Sequence, residues 1–96
     1  MKVNFKQKLK DLDGVTDCEM FENYAVMALS APEKDRTEVQ QLDRFALALK
    51  IRTAIDEIDI NLTEKADIMY CIHKMIAAPL ITGRFNELFK EKEKVE

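Results

Sequence analysis

Apolar residues recur along this chain with two different periods, and each change of period marks an element. From Cys18 onward Phe21, Tyr24, Ala25, Ala28 and Leu29 fall on one stripe at 100° per residue. The preceding "TDCE", Thr16–Glu19, has the form of a capping box, a hydroxyl for the exposed helix amides and a glutamate reaching back. A first helix is therefore predicted from this box to the neighbourhood of Pro32, which cannot continue it. The next stretch, "TEVQQLDRFALALKIRTAID", has no breaker and is the longest predicted element, capped by Ser30 and Glu33 or by Thr37 and Gln40. One of its faces carries Val39, Leu42, Phe45, Ala46 and Leu49; a second ridge carries Leu47, Ile51 and Ile55, leaving only the sector near Asp43 and Lys50 clearly polar. A helix with two apolar ridges must be covered on two sides, either by other helices of the same domain or by another chain on one face.

At "EIDINLT" the period drops to two, Ile58, Ile60 and Leu62 alternating with Asp59 and Asn61 as in a half-buried extended segment. Val3 and Phe5 alternate in the same way, although "MKVNF" also suits one helical turn. If a sheet exists it is a two-stranded ribbon of residues 2–6 with 57–62, marginal unless helices pack on it. Asn61 or Thr63 then caps a third helix, "EKADIMYCIHKMIAA", and Pro79 opens a fourth with Ile81, Phe85, Leu88 and Phe89 on one stripe. Gly83 within that stripe weakens the helix by about 1 kcal/mol relative to alanine. The expected fold is all-α, one compact bundle of about four helices over residues 1–96, with an extended or turn segment at 1–15 and a frayed charged tail at 91–96.

Composition agrees with one small helical domain. The 96 residues are 47% hydrophobic and 34% charged, with two glycines, two prolines and no tryptophan, few turn residues for a many-stranded sheet. The net charge of −3 argues against nucleic acid as a partner, since such binders carry a basic face. Lys2, Lys6, Lys8 and Lys10 do cluster, but Asp11, Asp13, Asp17, Glu19 and Glu22 follow at once and cancel much of their far field. Two separated cysteines and no long apolar run predict a cytoplasmic chain with reduced thiols and no membrane partner.

The one string suggestive of chemistry is "MYCIHKM", residues 69–75, which sets Cys71 two places from His73, the only histidine. On a helix these lie about 200° apart, so they cannot form a nucleophile–base pair with each other. Cys71 falls on a stripe with Ile68, Ile72, Met75 and Ile76, while His73 falls with Ala66, Tyr70 and Lys74. Two lone cysteines and one histidine give no zinc-ligand spacing, the Asp-Leu-Asp-Gly turn lacks the calcium-loop spacing, and no phosphate-binding glycine motif occurs. No catalytic, cofactor-binding or metal residue is assigned, and no cofactor is expected. The methionines Met20, Met27 and Met69, on helix flanks, together with the Leu47 and Ile51 ridge, are the candidate protein-interface residues.

"LDG" at Leu12–Gly14, "RFALALKI" at Arg44–Ile51, "DINLT" at Asp59–Thr63 and "PLITGRFNEL" at Pro79–Leu88 resemble a group of small proteins encoded by tailed bacteriophages and prophages. The resemblance implies an accessory role in a phage setting, in the bacterial host cytoplasm, and carries over no catalytic residue. The leading expectation is a non-catalytic module that binds another protein, a host or phage protein or copies of itself. One rival is a small enzyme using His73 with a carboxylate; the other is a weak nucleic-acid binder acting through the N-terminal lysines.

Overall fold

Val3 and Ile58 face each other across an antiparallel ribbon of β1 (Lys2–Asn4) and β4 (Glu57–Asp59), the pairing anticipated for these two alternating segments. In this computed structural model, which describes residues 1–95 and side chains through Lys92, the N-terminal ammonium of Met1 locks the ribbon. It donates to Asp59 Oδ1 at 3.2 Å and to the Ile60 carbonyl at 2.9 Å.

A second antiparallel pair, β2 (Lys8–Lys10) with β3 (Asp17–Met20), makes the domain mixed α/β and overturns the all-α expectation. Its cause is the aspartate turn. Asp13 accepts from the amides of Val15 and Thr16, both at 2.8 Å, and from the Thr16 hydroxyl at 2.6 Å, while Gly14 takes φ +73°. These bonds hold the Asp13 carboxyl, led by the Thr16 hydroxyl, down at about 2. Thr16 is thus committed to the turn and caps nothing, so the expected helix start at 16–19 is instead a strand.

The first helix, α1 (Phe21–Ser30), begins without a side-chain cap; the amides of Phe21 and Glu22 donate to the carbonyls of Gln7 and Phe5, so the β1–β2 segment does the capping. The second, α2 (Glu38–Thr53), starts at a capping box of Thr37 with Gln40, and α3 (Leu62–Cys71) at one of Asn61 with Glu64. Helix α3 does not continue to residue 78. A π-helical turn, Ile72–Ile76, follows and closes at Ala77, which takes φ 54°, before α4 (Pro79–Val95) opens on Pro79 in its first turn. The 91–96 segment, expected to be frayed, continues α4 to Val95, and Glu96 lies outside the described residues.

All these elements close over one core. Val3 and Leu9 come from the strands and Phe5 from the segment between β1 and β2, and Phe21 and Phe85 meet edge-on with centroids 4.9 Å apart. Ile68, Cys71 and Ile72 form the buried stripe of α3 and its π turn, as their spacing predicted. Among the described residues, no helix is long and apolar enough to cross a membrane.

Candidate interaction surface

The two ridges of α2 are placed the opposite way from the sequence expectation. Leu47 and Ile51, the candidate interface ridge, are buried at 4% and 0% exposure, and Arg44 and Ala48 complete this inward face. Val39, Leu42, Phe45 and Leu49 stand in solvent at 68%, 62%, 56% and 52%. The reason is the neighbour: α1 packs most extensively on α2, and its inward face is small, Ala25 and Ala28 beside Leu29. Ile55, expected on the same ridge as Leu47 and Ile51, lies past the helix end in the bend before β4 and is exposed. Of the candidate methionines, Met69 packs against the core, Met20 is half-buried at the start of α1, and Met27 is exposed.

Beside the exposed stripe runs an apolar groove of about 870 Å³ between α1 and α2. Val26 and Leu29 line it from α1, Pro32 from the connecting segment, and Phe45, Ala48 and Leu49 from α2. Stripe and groove share Phe45 and Leu49, so the two form one continuous apolar surface.

The groove's end is fixed by a charged cluster that the sequence reading did not find. Glu33 accepts from Arg36 Nε at 3.1 Å and Nη2 at 2.8 Å, from Lys74 Nζ at 2.7 Å and from the Tyr70 hydroxyl at 3.0 Å. Arg36 is itself buried and donates to the Leu29 carbonyl at 3.1 Å, with Cys71 Sγ 3.7 Å away. Arg44 donates to Asp67 at 3.2 Å and lies over the Tyr70 ring, as does Lys74. Its Nε is buried without a hydrogen-bond partner among the described residues.

The Lys74 hydrogen bond, followed by those from Arg36 and Tyr70, holds the Glu33 carboxyl at about 2, and Glu33 in turn raises the Lys74 ammonium. Burial pushes the Cys71 thiol up, against the opposing pull of Arg44 and Arg36. A protonated thiol and a fully committed carboxylate make this cluster a clamp between the α1–α2 segment and α3. His73 is exposed in the π turn, on the side away from buried Cys71. No three His, Cys, Asp or Glu side chains come together as metal ligands among the described residues.

No protein-family model, no curated protein and no solved structure matches the chain.

A second charged pairing lies at the other end of α2. Glu22, buried in α1, accepts from Lys6 Nζ at 2.5 Å and from Arg52 Nη1 at 2.6 Å; the Lys6 bond leads in holding its carboxyl below the ordinary value. Lys10 pairs with Asp17, so two of the N-terminal lysines are engaged with acids of their own chain. Apart from Arg36, three residues from Glu33, the partners of Glu22 and Glu33 lie 16 to 41 residues away, which explains why local spacing did not announce the two clusters.

Proposed function

We propose that the chain is a non-catalytic protein-binding module whose contact face is the outer stripe of α2 with the adjoining groove. The observation that carries this is the succession Val39, Leu42, Phe45 and Leu49, each more than half exposed on one solvent side of one helix. Apolar surface left in water forgoes roughly 25 cal/mol per Å², which a partner of matching shape recovers. Phe45 is the natural anchor, an aromatic side chain at the join of stripe and groove. The Glu33 clamp supports the reading by fixing the groove's end, so that little ordering entropy is lost on binding. The free thiols Cys18 and Cys71 favour a reducing compartment, and the resemblance to small phage proteins favours an accessory role in the host cytoplasm.

A photocrosslinking residue in place of Leu42, with Asn86 on the exposed side of α4 as control, tests the face in cells that make the chain natively. A protein adduct of defined size from position 42 and none from position 86 is the expected result. Absence of adducts at 42, or equal adducts at both positions, would remove the docking face.

A further inference from the structure

We infer that the partner of this face is a second copy of the chain, its α2 laid antiparallel on the first. The inference rests on the outer stripe being a docking face. Two features of α2 point to self-complementarity.

The first is spacing. Val39, Leu42, Ala46 and Leu49, all exposed, follow one another at intervals of three, four and three residues, the seam by which two helices interlock. Turned end for end, Val39 of one chain lies over Leu49 of the second copy and Leu42 over its Ala46. The small Ala46 leaves room for Leu42 and for the flanking Phe45 at the twofold axis.

The second is charge. Glu38 and Asp43 occupy the N-terminal half of α2, and Lys50 and Arg52 its last turn. An antiparallel pair sets Glu38 opposite Arg52 of the second copy, twice over by symmetry, and aligns the helix dipoles favourably. A parallel pair brings Glu38 beside Asp43 of the second copy and opposes the dipoles. Arg52 can serve both partners: bonded to Glu22 and Asn23, it keeps half of its side chain exposed. The contact is isologous, so the assembly closes as a dimer.

Cysteine pairing reads this geometry directly. Chains carrying Val39→Cys and Leu49→Cys, both at exposed positions, are mixed under mild oxidation, with the unsubstituted chain as blank. The mixture is expected to give a disulfide dimer joining the two variants, with little from either variant alone. Glu38→Lys is expected to shift the sedimentation midpoint for dimerisation about tenfold to higher concentration, its helical circular dichroism unchanged. Self-linked dimers from each variant alone would overturn the antiparallel pairing. No linked dimer and a monomeric mass at every concentration would overturn the second copy as occupant. In that event, an adduct to a different protein at position 42 still upholds the docking face, and no adduct removes both.

Discussion

Leu47 and Ile51 of α2 are 4% and 0% exposed, whereas Leu42 and Leu49, of the same chemistry on the same helix, are 62% and 52% exposed. Apolar character does not separate the two faces. The inner one includes Arg44 and Ala48 and is the less hydrophobic, yet it is the one that fits: Ala48 lets a neighbour approach, and Arg44 reaches Asp67 and the Tyr70 ring while its stem packs. The outer face is richer in large side chains and stands exposed, uncovered by the rest of the described residues. The difference teaches that in a domain this small a surplus of apolar ridge points outward, and that the better-fitting ridge is retained for the core.

The sharpest break of this contrast is Ile51→Ala, which should cost about 2–5 kcal/mol in urea unfolding, because it opens a cavity at a fully buried site. A cost below 1 kcal/mol would place Ile51 outside the core. Glu22→Gln should follow at about 1–3 kcal/mol, since Lys6 and Arg52 each donate to a different carboxylate oxygen, and the amide sets an NH2 group against one of them and removes the charge from a buried position. The same unfolding experiment measures it.

Acid reads the Glu33 clamp. Its carboxyl is held at about 2 against an ordinary 4.5, so the stability it contributes is fully present above pH 4.5 and is lost as pH falls toward 2. The unfolding midpoint of the native chain should fall more steeply across that window than that of Glu33→Gln, and parallel curves would show that the clamp carries no linkage. The smallest effect is expected on the outer face. Leu42→Ser should change monomer stability by no more than about 0.5 kcal/mol, measured in dilute protein.

Much of the fold was legible locally. The stripe of α3, the Asn61 and Thr37 caps, the start of α4 at Pro79 and the β1–β4 ribbon all follow from period and capping chemistry within a few residues. The β2–β3 hairpin was not, because "TDCE" satisfies a capping box as readily as it ends an aspartate turn, and only the Asp13 bonds decide between them. The assignment of faces on α2 failed for a related reason: the choice depends on the small residues Ala25 and Ala28 of α1 and on ion pairs reaching across the chain to Glu22 and Asp67. A surplus of apolar ridge on α2 was therefore visible, but the ridge named for an interface, Leu47 and Ile51, is the one that packs inward.

The central claim is that α2 has one face built for the core and one for docking. Hydroxyl-radical labelling, read residue by residue at rising protein concentration, tests it in a single experiment. In dilute protein Leu42, Phe45 and Leu49 should be labelled far faster than Leu47 and Ile51, and on concentration their labelling should fall while that of exposed Leu12 stays constant. Equal labelling of Leu47 and Leu42 in dilute protein would contradict the two-faced helix, and labelling of the outer stripe that tracks Leu12 at every concentration would overturn a second copy as its occupant.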